Sequence, residues 1–277
     1  MRKLGAVPLP ASIPRVLSIA GSDSGGGAGI QADLKAFAAC GVHGMTAITA
    51  LTAQNTVGVT AVETVSPEMV IAQVRAVLAD IGVDAAKVGM LGTVETIEAV
   101  RLALEELEPG TPVVVDPVMV AESGAELLDR SARSLLIERI LPLATVATPN
   151  LPEARALTGL ADADAGTLAR AVHALGPQAV VVTGGHREQA IDVFYDGETM
   201  VELPGECYAS GAAHGSGCTH SSALAAFMAR GLTALDASRG AKALASAAVR
   251  DGLAGIGAGV GPVDALGLLR STPRGPF

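Results

Sequence analysis

Two glycine-rich segments are the strongest candidates for contact with a phosphorylated ligand. Residues 20–29 (AGSDSGGGAG) follow a strand-like run, and residues 213–219 (AHGSGCT) precede an alanine-rich helix-like run. Glycine lets a backbone approach a ligand closely, and amides at a helix start attract anions. A tight structural turn is the alternative for the first segment. In the second, the amides of Gly215, Ser216 and Gly217 predict an anion hole suited to phosphoryl transfer.

Cys218 follows these glycines, in the first turn of the predicted helix. The pKa of a thiol falls at a helix start, so Cys218 is a candidate base or anion-stabilising group. A buried helical cysteine with no chemical role is the alternative interpretation.

Acidic and amide side chains follow other strand-like runs. Asp116 ends the run VVVD, and Asn150 and Glu153 follow a further run. Carboxylate and amide oxygens beside phosphates suit Mg²⁺. Asn150 before a proline-started helix is also a good helix cap, and the two roles are compatible. At the end of another run, the amide of Gln54 could pair with the edge of a nitrogen heterocycle.

Strand-like and helix-like runs alternate along the chain, which predicts the elements that position these residues. The predicted strands are Arg15–Ala20, Met45–Leu51, Thr60–Val65, Ala85–Met90, Pro112–Asp116, Ala144–Thr148, Ala179–Thr183, Ile191–Tyr195 and Thr199–Leu203. The predicted helices are Ala28–Cys40, Pro67–Asp80, Val94–Leu107, Ser131–Ile140, Pro152–Leu157, Ala165–Leu175, His214–Arg230 and Leu235–Leu253.

This alternation predicts an α/β fold of three layers, α/β/α, with a mainly parallel central sheet. Ligands of such folds bind beyond the carboxyl ends of the strands, where the candidate residues fall. We find no repeat or linker, so we expect one domain over residues 15–270 after a flexible arm, residues 1–14.

The composition excludes several classes of function. Of 277 residues, 49% are hydrophobic and only 2% aromatic, which favours an aliphatic core around a parallel sheet. The net charge of −9 argues against binding nucleic acid or an anionic membrane. No apolar run is long enough to span a membrane. Three cysteines do not form a disulfide framework, so we expect a reducing, cytoplasmic location.

Seven sequence segments occur along the chain in an order that is characteristic of one protein family. They are AGSDSGGGAGIQADLKAF, TALTAQNT, KVGML, VVDPVMVAESG, TPNLPEA, VVTGGH and HGSGCTHSSALAA. Together, over residues 15–261, they resemble the hydroxymethylpyrimidine (phosphomethylpyrimidine) kinases of thiamin biosynthesis, in the ribokinase-like superfamily. The resemblance implies a homodimer that uses Mg-ATP to phosphorylate 4-amino-5-hydroxymethyl-2-methylpyrimidine and then its monophosphate.

The resemblance also assigns site residues. On the pyrimidine side it implies Asp33 and Gln54 as ligands, with Gly21, Ala28, Met90 and Val118 around them. On the nucleotide side it implies Asn150, Thr183, Gly185 and Lys242, with Glu153 and Asp116 towards Mg²⁺. Cys218 stands where most ribokinase-like enzymes carry a catalytic aspartate.

Three positions depart from the family pattern. Thr183 stands where relatives often have lysine, Glu122 where they often have lysine or threonine, and residues 210–213 (SGAA) replace a T-x-N-T pattern. A missing lysine weakens the expected grip on ATP phosphates. This loss leaves a catalytically impaired pyrimidine-binding sensor open as one alternative. A pyridoxal or pyridoxine kinase is the other, since related enzymes with this cysteine can use vitamin B6 compounds.

Overall fold

The computed structural model describes residues 12–120, 128, 130–184, 190–208 and 212–271, and nine strands within them form one sheet. The strands are β1 (Arg15–Asp23), β2 (His43–Gln54), β3 (Val59–Thr64), β4 (Ala85–Val88), β5 (Val113–Val115), β6 (Val146–Ala147), β7 (Ala179–Val182), β8 (Asp192–Tyr195) and β9 (Met200–Leu203). Their order is β3-β2-β1-β4-β5-β6-β7-β8-β9, with β3, β8 and β9 antiparallel to their neighbours. The other pairs are parallel, so the carboxyl ends of six strands lie along one edge.

Helices cover both faces of this sheet. They are α1 (Gly29–Ala39), α2 (Pro67–Asp80), α3 (Val94–Glu105), α4 (Arg130–Leu135), α5 (Leu151–Thr158), α6 (Ala165–His173), α7 (Ser216–Ala229), α8 (Ala234–Arg250) and α9 (Leu268–Ser271). The helices α1, α7 and α8 pack on one face, and α2, α3, α5 and α6 pack on the other. The predicted three-layer α/β fold is confirmed. Among the described residues, no helix has the length and apolar character needed to cross a membrane.

Alternating side chains on the strands separate two aliphatic cores. In β5, Val114 joins the core under α1, α7 and α8, whereas Val113 and Val115 join the core under the remaining helices. Successive residues of a strand point to opposite faces, so a strand covered on both sides must be apolar throughout. This requirement explains the continuous valine runs of the sequence.

Helix starts differ in a way that bears on the candidate site. Ser66 and Thr93 cap α2 and α3 with their side chains, as is usual for these residue types. The two helices that follow the glycine-rich segments, α1 and α7, begin at Ala28 and Gly215 with no side-chain cap. Their first amide groups are therefore not satisfied by a capping side chain.

One predicted helix takes a different course. The sequence predicts a continuous α-helix over Ser131–Ile140, but α4 ends at Leu135 and is followed by a π-helical turn (Leu136–Ile140) and a 3₁₀ turn (Leu141–Leu143). Pro142 has no N–H group to donate back along the helix, and its ring opposes a regular α-helical path. The predicted hairpin before Leu203 is present as β8 and β9.

Candidate active site

The two glycine-rich segments lie against each other. Gly215 has a φ of 82°, a left-handed conformation that favours glycine, and a side chain there would overlap the carbonyl oxygen of Gly27. A side chain on Gly27 would in turn overlap the ring of His214. Only glycine fits at both positions. The two glycines therefore allow the turn after β1 to pack directly against the start of α7.

Asp23 organises the first of these segments. Its carboxylate accepts hydrogen bonds from the backbone N–H groups of Gly25 (2.8 Å), Gly27 (2.9 Å) and Ala28 (2.8 Å). Its Oδ2 also lies 3.2 Å from Nε2 of His214. Burial opposes its charge, but the bonds from His214 and the amides outweigh burial and lower the pKa of Asp23. Both side chains stand inside the two glycine-rich segments, but their pairing could not be predicted from the sequence because 191 residues separate them.

The start of α7 is open at the protein surface. Gly217 is exposed and Cys218 is half-buried, so their amides lie within reach of a ligand, whereas the N–H of Ser216, also predicted for the anion hole, donates to the carbonyl oxygen of Ala213 over 2.9 Å. The expected fall in the pKa of Cys218 is wrong. Although the residue as a whole is half-buried, its sulfur is withdrawn from water, and this burial raises the pKa of the thiol to about 12 against the charge of Lys87. At neutral pH Cys218 is therefore a neutral thiol rather than a thiolate.

Two buried acids, Asp116 and Glu153, interact at the carboxyl edge of the sheet. Ser221 Oγ donates to Asp116 Oδ2 over 3.0 Å, which attaches the end of β5 to α7. Burial and then the charge of Asp116 raise the pKa of Glu153 to about 8, and burial also raises the pKa of Asp116. A divalent cation would relieve this repulsion, and Mg²⁺ is commonly held by one or two carboxylates together with substrate phosphates. These two residues fit such an ion, and among the described residues no group of three or more potential metal ligands occurs.

Asn150 has the capping role that the sequence left open. Its Oδ1 accepts from the backbone N–H of Glu153, and Glu153 Oε2 accepts from the backbone N–H of Asn150, both over 2.9 Å. This reciprocal capping box starts α5. The same arrangement fixes the Glu153 carboxylate at the carboxyl edge of the sheet.

The residues predicted for the pyrimidine side fall into two groups. Met90 Sδ would lie only 3.0 Å from a side-chain carbon on Gly21, so these residues touch at the ends of β1 and β4. Gln54 ends β2, and its backbone N–H and carbonyl both bond to Ser24 of the glycine-rich turn. Gln54 also lines a cavity of about 230 Å³, whose other lining residues are Asn55, Thr56, Val57, His214, Gly259 and Val260. Ala28 and Val118 are half-buried.

Asp33 is placed differently from the expectation. It is 0% exposed, and its oxygens bond to Ser18 Oγ (2.5 Å), Ser222 Oγ (2.7 Å) and Lys87 Nζ (3.0 Å). No accessible oxygen remains for a ligand, and the expected direct contact with a pyrimidine is corrected to a buried position beneath the site. Lys87 was not predicted, because a lysine inside a strand gives no sign in the sequence of its buried partner.

The predicted nucleotide side lies at the end of β7. Thr183 pairs with Asn150 across the neighbouring strand ends, and the backbone N–H of Gly184 donates to Asp192 Oδ1 over 2.9 Å. Lys242 is buried, with its Nζ 2.7 Å from the same carboxylate oxygen. Its predicted place beside adenine stays a prediction. Gly185, Glu122 and residues 210–211 lie outside the described residues.

This sheet, with its strand-end loops and the glycine-lined start of α7, is that of a ribokinase-like small-molecule kinase. Residues 23–264 match the family model described as phosphomethylpyrimidine kinase, and the chain belongs to this family. A hydroxymethylpyrimidine/phosphomethylpyrimidine kinase of Rhizobium meliloti is 52% identical over 255 residues, which cover 89% of this chain and 95% of that protein. The resemblance drawn from the seven segments is thereby confirmed.

Solved structures agree with this assignment. An ADP complex of Bacillus subtilis pyridoxal kinase has a TM-score of 0.85 and 40% identity, covering 94% of this chain and 100% of that chain. A phosphomethylpyrimidine kinase from Clostridium difficile has a TM-score of 0.73 and 40% identity, covering 84% of this chain and 97% of that chain. The fold is therefore shared by kinases named for two different vitamin precursors.

Proposed function

We propose that the chain transfers the γ-phosphoryl group of ATP to the hydroxymethyl group of 4-amino-5-hydroxymethyl-2-methylpyrimidine, and then to the resulting monophosphate. The observation that carries this proposal is the contact between Gly27 and Gly215. It sets the uncapped start of α7 beside the turn that follows β1. An anion site and a substrate-facing turn thus share one cleft, as in-line phosphoryl transfer requires.

In this mechanism the protein mainly positions the reactants and offsets charge. The amides of Gly215, Gly217 and Cys218 hold the migrating phosphoryl group, while the N–H of Ser216 donates to the carbonyl oxygen of Ala213. Mg²⁺, held by Asp116 and Glu153, would neutralise charge on the ATP phosphates when bound. Gln54 aligns the pyrimidine edge, while Gly21, Ala28, Met90 and Val118 enclose the ring.

Cys218 completes the site as a neutral thiol. With a pKa raised to about 12 it is a weak source of thiolate, so we assign it first a hydrogen bond to the migrating group and second the removal of the hydroxyl proton. Replacement by alanine is expected to lower kcat by at least about 100-fold. A Cys218→Ala variant that keeps the wild-type rate would assign the residue to packing alone.

ATP as the donor is supported by the Bacillus subtilis kinase, which was solved with ADP. We place the nucleotide against Asn150, Thr183 and Gly185, with Lys242 towards the adenine. Product analysis after incubation with Mg-ATP and the pyrimidine alcohol tests the proposal. We expect a monophosphate followed by a diphosphate, and the absence of both products would refute it.

Pyridoxal kinase is the second candidate, because the Bacillus subtilis structure carries that name at 40% identity. Side-by-side kcat/KM values for the pyrimidine alcohol and for pyridoxal discriminate between the two, since specificity is a ratio of these values. We expect the pyrimidine to be preferred. Binding of the pyrimidine without ATP consumption would instead favour the impaired sensor.

We also propose a homodimer with one kinase domain per chain over residues 15–270, working in a reducing, cytoplasmic compartment. Cys40 and Cys218 are free thiols, which supports the assignment of the compartment. Sedimentation of the purified protein tests the dimer, and a monomer at micromolar concentration would contradict it.

A further inference from the structure

A fully buried ion pair lies beneath the candidate site. Lys87 on β4 and Asp33 on α1 are both 0% exposed, and Lys87 Nζ lies 3.0 and 3.1 Å from the two carboxylate oxygens. Ser18 from β1 and Ser222 from α7 donate to the same carboxylate. The pair therefore connects the strands β1 and β4, whose carboxyl ends lie at the site, with the helices α1 and α7, which begin there.

The position of the ammonium group is defined by its neighbours. A side chain on Gly89 would lie 2.8 Å from Lys87 Nζ, so glycine at the end of β4 makes room for the charge next to Met90. Ser222 follows Cys218 by one helical turn, on the same side of α7. The cation consequently lies under both the pyrimidine-side strand end and the catalytic turn of α7.

The charges around Cys218 differ in how strongly they favour or oppose a negative charge on its sulfur. Those that face the thiol are Lys87 from β4, Asp33 from α1 and Asp116 from the end of β5, together with the backbone N–H of Gly29. Among these, Lys87 favours a negative sulfur most strongly. Burial opposes the charge of Lys87, but Asp33, Cys218 and Asp116 outweigh burial and raise the pKa of Lys87, so it stays a cation.

Stability alone does not account for such a pair. Taking two charges out of water is costly, and well-packed apolar side chains often stabilise a core at least as much as a buried ion pair. The chain instead keeps a cation whose field reaches the site. We propose that Lys87 is a positioning residue for phosphoryl transfer, which acts through Cys218 and the start of α7 and is held in place by Asp33. This inference rests on the proposed kinase activity.

The test removes the charges together. In Lys87→Met or Asp33→Asn alone, one buried charge loses its partner, and the melting temperature should fall by at least about 5 °C. The double variant K87M/D33N removes both charges of the ion pair and should melt at a higher temperature than either single variant. We expect its kcat to fall at least about 30-fold, with each KM changed less than about threefold.

Alkylation of Cys218 gives a readout that needs no kinase activity. The rate of its reaction with iodoacetamide at pH 9, followed by peptide mass analysis, should be at least about threefold slower in the double variant, because the lost cation Lys87 acts on the thiolate more strongly than the anion Asp33 that is lost with it. The matched control is R15M/D84N. It removes a half-exposed ion pair at the opposite edge of the sheet, and it should change neither kcat nor the rate of alkylation of Cys218.

The outcomes separate the two proposals. A folded K87M/D33N variant with wild-type kcat and alkylation would make Lys87 purely structural and overturn the inference. Slower alkylation in a protein whose wild type phosphorylates no pyrimidine would remove the proposed function but keep the electrostatic link. Ser222→Ala, which removes only the bond from α7, should lower kcat several-fold when assayed well below its melting temperature; an unchanged kcat would contradict the coupling through α7.

Discussion

Nε2 of His214 lies 3.2 Å from Oδ2 of Asp23, and this contact ties the start of α7 to the turn after β1 across 191 residues of sequence. Both side chains are buried. The same carboxylate collects three backbone N–H groups of the turn. One acid therefore holds the substrate-side loop in shape and fastens it to the phosphate-side loop.

Replacing Asp23 with asparagine should destabilise the protein. An amide group cannot accept all of these hydrogen bonds, and unsatisfied buried donors remain, so we expect a loss of about 2–3 kcal/mol in urea unfolding at pH 7. Asp236→Asn is the control, because that carboxylate is exposed on α8 and pairs only with surface groups. Its effect should stay within about 0.5–1 kcal/mol.

The pKa of Asp23 gives this difference a direction with pH. Because the folded protein lowers this pKa, the stabilisation by Asp23 is fully present above its ordinary value near 3.8 and is lost as the pH falls through the lower, folded value. The gap in stability between wild type and Asp23→Asn should therefore narrow below about pH 4. A gap that is constant with pH would show that the ionised carboxylate is not the stabilising form.

A pair of glycine substitutions separates the close approach of the loops from the effect of an added methyl group. Gly215→Ala forces an L side chain into a left-handed conformation and against Gly27. We therefore expect the free energy of unfolding to fall by at least about 2 kcal/mol and the kinase activity to be lost. Gly217 lies two residues on, with nothing near its missing side chain. Gly217→Ala should unfold within about 1 kcal/mol of wild type; equal losses in both variants would contradict the contact.

Glu153 should make stability decline with rising pH. Its pKa is raised to about 8 in the folded protein, so the protonated form is favoured. Its contribution to stability is complete below the ordinary pKa near 4.5 and is lost as the pH rises towards about 8. Glu153→Gln mimics the protonated acid and keeps an oxygen for the capping box.

Urea unfolding at pH 5 and pH 9 checks this prediction. The variant should match wild type at pH 5 and exceed its unfolding free energy by at least about 1 kcal/mol at pH 9. Asp164→Asn, which alters the exposed cap of α6, is the control that should lack any gain at pH 9. A Glu153→Gln variant with the pH dependence of wild type would show that the acid is ionised throughout.

Local patterns in the sequence predicted the fold and the strand-end positions of the site, because strand periodicity and glycine-rich turns are encoded within a few residues. The partners of Asp33 and Asp23 were not predicted, since Lys87 and His214 reach them across 54 and 191 residues. The pKa of Cys218 was also misjudged. Helix position is visible in a sequence, whereas burial, which dominates here, is a property of the packed protein.

Gln54→Ala tests the pyrimidine side. The side chain lines the cavity beside His214, whereas the predicted nucleotide side lies at the end of β7. We expect the KM for the pyrimidine to rise at least about tenfold and the KM for ATP to change less than about twofold. Gln178→Ala, at an exposed glutamine before β7, should change neither value. Equal rises in both KM values for Gln54→Ala would remove the residue from the pyrimidine site.

Thr183→Lys should strengthen the grip on ATP. Thr183 is half-buried at the end of β7 and pairs with Asn150 through the backbone, so a longer side chain can extend from it without breaking that pairing. A lysine restores the cation that related kinases often carry there, and an ammonium group is a good partner for phosphate oxygens. We expect the KM for ATP to fall at least about threefold, with the KM for the pyrimidine unchanged. Thr183→Val, which removes the hydroxyl group without adding charge, should not lower the KM for ATP. A KM for ATP that is unchanged or higher in Thr183→Lys would place the triphosphate away from the end of β7, and the nucleotide side of the proposed site would then have to be redrawn.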